Sequence, residues 1–264
     1  AVVGEDDNTD FTFTIMVNNK KQGWTYTLSG GGGGTTGADG QFTLKNGQIA
    51  TFNNLPRGAS VVITETVPSN FNLTGITGGT VDLSNKKTTV TAKTGGDITP
   101  IEVVFANTRH TGSLKVTKTV SGTASAGYTG HNFTFILKKD NTVKKGLPYT
   151  LYNSSGQVIG NYSTNATSGE FSLTHGQYAL FSGLPTGSYT VEEVITQAYL
   201  DSIPAGTRFT PPAAQTQSVS KDGTASFSFN NQFDIRTGEL EAEKVLNAPT
   251  KPAWESPDPN FTFT

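Results

Sequence analysis

One stretch of the chain occurs twice. GQFTLKNGQIATFNNLPRG (Gly40 to Gly58) returns without a gap as GEFSLTHGQYALFSGLPTG (Gly169 to Gly187). A fixed-order repeat restricts the chain to copies of one folding unit. Shorter matches keep the same order: GWTYTL (Gly23 to Leu28) with GLPYTL (Gly146 to Leu151), and VVFANT (Val103 to Thr108) with FSFNNQ (Phe227 to Gln232). The opening of a unit also recurs, as GSLKVTKTVSG (Gly112 to Gly122) before Phe133-Thr134-Phe135 and as GELEAEKVLNA (Gly238 to Ala248) before Phe261-Thr262-Phe263. The spacing predicts a first unit over 1–109 that lacks its opening strand, a complete unit over 113–233, and the start of a third over 238–264. The missing strand is expected a few residues before Ala1, as in a window cut from a longer array. An alternative is that the tail from Gly238 to Thr264 lends its strand to the first unit of a neighbouring molecule.

The units read as sheet. Apolar residues alternate with period two in FTFTI (Phe11 to Ile15), VVIT (Val61 to Thr64), LKVTKTV (Leu114 to Val120), FTFIL (Phe133 to Leu137) and FSFNN (Phe227 to Asn231), the pattern of half-buried strands. Clusters of Gly, Asn, Asp and Pro interrupt any helical period, so an all-β chain with little helix is expected. Its 264 residues suffice for about two cores without a clamp. The low-complexity run Ser29 to Gly34 lies between matched segments and reads as a hairpin loop.

Several chemistries are excluded. With no cysteine there are no disulfides, thiol nucleophiles or cysteine-ligated zinc. Nineteen Lys and Arg against 21 Asp and Glu give a net charge of −2, which offers no basic face for nucleic acid or an anionic membrane. No apolar run of membrane-spanning length occurs, and the chain opens without a leader pattern. His110, His131 and His175 are scattered over loops and strand ends and suggest no metal site, and His110 and His131 read as solvated loop residues. No cofactor is expected.

The chemistry sits in residues whose phase is wrong for their polarity. In LKVTKTV, Leu114, Val116, Lys118 and Val120 share one face, and that face is apolar. By the same alternation Glu193 falls with Tyr189 and Val191, and Asn231 with Phe227 and Phe229. The first unit repeats two of the three, with Glu65 in phase with Val61 and Ile63, and Asn107 with Val103 and Phe105. The third opening supplies Lys244 in phase with Leu240 and Ala242. Glu192 and Asn230 are the rivals of Glu193 and Asn231, but they fall on the other face. A buried ammonium or carboxylate must be paired or neutralised. One reading is a buried ion pair. The other is that a neutral Lys118 amine attacks the Asn231 side-chain amide, a protonated Glu193 shuttles protons, ammonia leaves and an isopeptide bond remains. The packed core would hold the reactants in place.

These elements resemble the Cna B-type and streptococcal pilin-like isopeptide domains of Gram-positive surface proteins. The matching features are an opening strand ending in Lys (LKVTK, LEAEK), a GxFxLxxGQ…F…LPxG segment, a glutamate strand (YTVEE, VVITE) and a closing strand ending in Asn (FSFNN, VVFAN). The resemblance implies tandem immunoglobulin-like β-sandwich domains in which Lys118 and Asn231 are cross-linked with Glu193 as catalytic acid. By position, Glu65, Asn107 and Lys244 take the same roles in their units. It further implies a structural segment of a bacterial surface stalk, pilus or fibre, extracellular, with neighbouring repeats and filament assembly as its partners. The self-modification is a single event and not enzymatic turnover.

The rival function is an adhesin module that binds a host protein or glycan, with Trp24, Tyr26 and the Tyr199 region as its aromatic surface. Core packing is the competing reading of Trp24 and Tyr26. A third function is an accessory domain of a secreted enzyme. LPYTL (Leu147 to Leu151) and LPTGS (Leu184 to Ser188) look like sortase signals but depart from that pattern, and the LPxG segments read as turns.

Overall fold

The structure is a computed structural model and describes residues 8–94, 99–238 and 240–243. Period-two runs become strands wherever one face can be buried. The first half of the chain forms β1 (Phe11–Val17), β2 (Thr25–Leu28), β3 (Gly33–Thr35), β4 (Gln41–Leu44), β5 (Ala50–Thr51), β6 (Ser60–Thr66), β7 (Phe71–Thr77), β8 (Thr80–Asp82), β9 (Lys87–Thr91) and β10 (Val104–Arg109). The second forms β11 (Thr111–Ser121), β12 (Phe133–Lys139), β13 (Thr142–Val143), β14 (Pro148–Tyr152), β15 (Val158–Ser163), β16 (Glu170–Leu173), β17 (Tyr178–Pro185), β18 (Gly187–Glu193), β19 (Thr207–Thr210), β20 (Gln215–Val219) and β21 (Thr224–Ile235). The described residues are all-β apart from a 3-10 turn at Ser125–Tyr128 and one helix, α1 (Gln197–Ser202), whose N-cap Thr196 side chain accepts a hydrogen bond from the Tyr199 backbone N–H.

In the second half, six strands in the order β15-β14-β17-β11-β21-β19 form one layer. The other layer is β13-β12-β18-β20, with β16 also on β12. Alternation turns Leu114, Val116, Phe227 and Phe229 of the first layer toward Phe135, Leu137 and Val191 of the second, all at most 1% exposed. Phe135 meets Phe229 edge-on across the gap, ring centres 5.2 Å apart. This is a β-sandwich. Its opening strand β11 runs parallel to its closing strand β21 and antiparallel to β17. A parallel pair needs a long crossover, and here the rest of the unit supplies it.

The first half repeats the plan with one difference. Its continuous layer is β4-β1-β6-β9-β8, and the facing layer is two pieces, β3-β2-β5 and β10-β7. Phe13 and Phe105 pack across the layers with ring centres 5.2 Å apart. By order and pairing β5 stands where β17 stands in the second unit, and β10 where β21 stands. Among the described residues no strand lies between them, in the position β11 takes in the second unit.

Only His110 separates β10 from β11. Its backbone N–H donates to the Asn70 carbonyl at 2.8 Å, and its carbonyl accepts from Thr186 N–H at 3.1 Å. Read from sequence as solvated, His110 is half-buried, and its Nε2 is shielded from solvent without a partner among the described residues. Trp24 and Tyr26 are half-buried and pack on the first core, with Tyr26 tilted against Phe42 and Phe52. The run Ser29 to Gly34 forms the turn of the β2–β3 hairpin and the start of β3.

Candidate functional site

Strand β11 alternates buried and partly buried residues along its length, so Lys118 follows Leu114 and Val116 into the core and is 0% exposed. The parallel register sets Lys118 beside Phe229 and Val120 beside Asn231. Asn231, two residues beyond Lys118's partner on the same face of β21, is also 0% exposed. From the facing layer, β18 brings in Glu193, whose cross-strand partner on β12 is Phe135.

The three side chains meet on one carboxylate. Lys118 Nζ donates to Glu193 Oε2 at 3.0 Å, and Asn231 Nδ2 donates to Glu193 Oε1 at 2.5 Å. Phe133 forms a wall, with the Lys118 Nζ 4.0 Å from its ring centre. Burial pushes the Lys118 amine down to about 8, against the opposing pull of the Glu193 charge and hydrogen bond. Asn231 Oδ1 is buried without a partner among the described residues. A protonated Glu193 could donate to that oxygen once the amide turned over, since amide O and N fill nearly the same envelope.

The rivals lie outside this centre. Glu192 forms an ion pair with Lys138 at 2.7 Å, the two side chains 33% and 26% exposed. Asn230 lies on the exposed face, where its Nδ2 donates to Ser121 Oγ at 2.8 Å and its Oδ1 accepts from Thr119 Oγ1 at 3.1 Å.

The first unit contains two of the three residues. Glu65 on β6 is 2% exposed, and its Oε1 accepts from Asn107 Nδ2 at 2.5 Å. Burial raises the Glu65 carboxyl, opposed by that hydrogen bond and by the Lys86 charge. Among the described residues Glu65 Oε2 and Asn107 Oδ1, both buried, have no hydrogen-bond partner. Lys244 lies outside the described residues.

Two neighbours of the Lys118 centre were not placed there by the sequence, which offered the Tyr199 region only as part of an aromatic binding surface. His131, read as a solvated loop residue, stacks on Tyr199 with ring centres 4.7 Å apart and meets Phe133 edge-on at 4.8 Å. Burial lowers its imidazole pKa, with Glu193 opposing and Lys118 adding to the shift. The Tyr199 hydroxyl is buried without a partner among the described residues and pushed up to about 12, first by burial and then by the Glu193 and Tyr128 charges. These rings line a cavity of about 240 Å³ that reaches Glu193. Neither residue belongs to an alternating strand, so periodicity carried no signal for them.

A family model described as Domain of unknown function (DUF7601) matches twice, over residues 2–109 and 112–233. No curated protein sequence matches the chain. Among solved structures, the chain is similar to the major pilin from Streptococcus pyogenes at 18% identity, covering 88% of this chain and 94% of that one with a TM-score of 0.41. The T3.2 major pilin of Streptococcus pyogenes serotype GAS13637 is also 18% identical, with 86% and 90% covered and a TM-score of 0.38. The pilus-presented adhesin Spy0125 (Cpa) is 14% identical, with 67% of this chain and 37% of the adhesin covered and a TM-score of 0.33. Among the described residues no helix is long and apolar enough to cross a membrane.

Proposed function

We propose, from the premise that this chain belongs to the DUF7601 family in two consecutive units, that it is a load-bearing segment of a bacterial surface stalk, pilus or fibre whose second unit closes itself with a Lys118–Asn231 isopeptide bond. One observation carries the reading: an amine, a carboxyl and a primary amide from both layers converge, with their side chains at most 2% exposed. A buried ion pair is seldom a gain in stability over apolar packing. Chemistry gives a reason for keeping one.

The steps balance without cofactor or co-reactant. A proton passes from the Lys118 ammonium to Glu193, which leaves a neutral amine and a neutral acid, the forms that a dry site favours. The Nζ lone pair attacks Asn231 Cγ while the acid stabilises the developing charge on Oδ1. Glu193 then relays protons so that the C–Nδ2 bond breaks and ammonia departs. A secondary amide remains, and Glu193 ends as the neutral acid, holding the proton that it took from the Lys118 ammonium. No second substrate enters, so each molecule reacts once.

Intact mass tests the proposal. The chain should weigh about 17 Da less than its sequence for each bond formed. Digestion should yield a branched peptide joining Lys118 to Asn231. In the Glu193→Ala and Lys118→Ala variants the second unit should keep full mass. Full mass in the folded parent would sink the cross-link and leave Lys118 and Glu193 as a buried ion pair.

A further inference from the structure

The closing reaction of the second unit leaves two products in the core. Each bond frees one ammonia, and Glu193 is left holding a proton. Lys118 and Asn231 are 0% exposed, so neither opens a way out. Of the three reacting residues only Glu193 lines the cavity of about 240 Å³, whose other walls include the buried Phe133, the half-buried Tyr199 and the exposed His131, Glu170 and Thr196. The Asn231 amide, which loses its nitrogen, is in contact with that same carboxyl through Nδ2. The cavity therefore leads from the reacting centre to the surface.

Tyr199, on the cavity wall, carries a hydroxyl that packing does not require. It lies six residues beyond Glu193, as Phe71 lies six beyond Glu65 in the first unit. Glu193 is the cross-strand partner of Phe135, and Glu65 that of Phe13. Two residues before each of these, a phenylalanine meets the ring in question edge-on, Phe133 with Tyr199 at 6.5 Å between centres and Phe11 with Phe71 at 5.1 Å. A phenyl ring thus suffices at this position. The Tyr199 hydroxyl adds a buried polar group that has no partner among the described residues, which is unfavourable unless something meets it. It is near enough to Glu193 for that charge to add to its raised pKa. A phenol can donate to the lone pair of ammonia and accept from an ammonium N–H. Over it stacks His131, whose pKa is lowered by burial, so the covering ring is neutral and does not repel a cation.

We propose that this cavity is the exit port of the closing reaction and a site for one ammonium ion, held by the Tyr199 hydroxyl and the Glu193 and Glu170 carboxylates and covered by His131. The proposal rests on the isopeptide reading above. Its step balances without a further reactant: ammonia takes the proton of the neutral Glu193 acid, the O–H bond breaks as an N–H bond forms, and a carboxylate and an ammonium ion result. Both products of closure are then one cation. The exposed Glu170 draws it outward, and an ammonium ion has no lone pair with which to attack the new amide.

The test follows closure in time. The 264-residue chain is made by cell-free translation, synthesis is stopped, and samples quenched in acidic denaturant are weighed for the loss of about 17 Da. Tyr199→Phe should fold with a melting temperature no lower than the parent's and close on the order of tenfold more slowly, the factor for one hydrogen bond to a charged group. Ammonium chloride in place of sodium chloride at equal ionic strength should slow the parent about twofold by occupying the port. Tyr199→Phe and Glu170→Gln should each blunt that response, and Glu170→Gln, being on the surface, serves if Tyr199→Phe does not fold. If the parent loses its ammonia at a rate that neither variant nor ammonium changes, the port is overturned and the isopeptide reading stands. Slower closure of Tyr199→Phe with no response of the parent to ammonium would make the hydroxyl a packing contact and overturn the port as well. Full mass in the folded parent at every time would overturn the isopeptide reading and the port with it.

Discussion

At the scale of the residue, Lys118 and Glu193 are held where neither charge is solvated, and their cost has a pH signature. The Lys118 amine falls from an ordinary 10.5 to about 8 in the folded state. Between those values the unfolded chain holds more protons than the folded one, so folding becomes more favourable as pH rises. In an Asn231→Ala variant, which cannot close the bond, the unfolding free energy from denaturant titration should climb from pH 8 to pH 10.5 by an amount on the order of 2 kcal/mol. Adding Lys118→Met should flatten that rise, and an equal slope in both variants would count against the buried amine. Phase makes a second prediction. Glu192→Ala and Asn230→Ala should keep the mass loss of about 17 Da, whereas Glu193→Gln should be folded and of full mass. Removing Glu192 ends only a partly exposed ion pair, at a cost of about 1 kcal/mol or less. Alternation alone assigns Glu193 and Asn231 to the inner face, because a strand has only two faces. It could not assign His131 or Tyr199, which reach the centre from a loop and a short helix by stacking.

Among the elements, the long strands follow from their alternating runs, and β1, β11, β12 and β21 fall where FTFTI, LKVTKTV, FTFIL and FSFNN lie. Periodicity was silent about α1, which at six residues is too short to show a helical face. It was equally silent about neighbours, since a pattern that says which side is buried does not say which strand lies alongside. The parallel pairing of β11 with β21 is therefore knowledge only the structure supplies. A bond between these strands would close a loop of about 113 residues, worth roughly 4–5 kcal/mol on a chain-entropy model. Just beyond β11 the chain turns at Gly122, with φ of 103° and its Cα close to β21. A Cβ there would lie 2.1 Å from the Phe233 carbonyl oxygen. Gly122→Ala should thus destabilise the second unit by about 1–3 kcal/mol, read as a lowered melting temperature. The mass loss should survive, because Lys118 lies one turnless stretch of strand away.

At the scale of the whole molecule, β11 opens the second unit and β21 closes it, side by side and in the same direction. Tension on the chain enters this unit by one of the two strands and leaves by the other. With Lys118 bonded to Asn231, the intervening chain is excluded from the load path. Stretching single molecules by their ends should therefore release about 400 Å more contour from a Lys118→Ala chain than from the parent, the extended length of about 113 residues. Equal release from both would mean that the bond is absent or lies elsewhere.

The same pairing of first strand with last sets an order on biogenesis. As the chain emerges from a ribosome or a secretion channel, Lys118 appears early in its unit, and its amide partner on β21 appears only when the unit is nearly complete. Until then the amine has no dry site to be neutralised in and nothing to attack. On the proposed chemistry closure would be a record of completed synthesis, and a chain halted midway through the unit would stay linear and open to proteases.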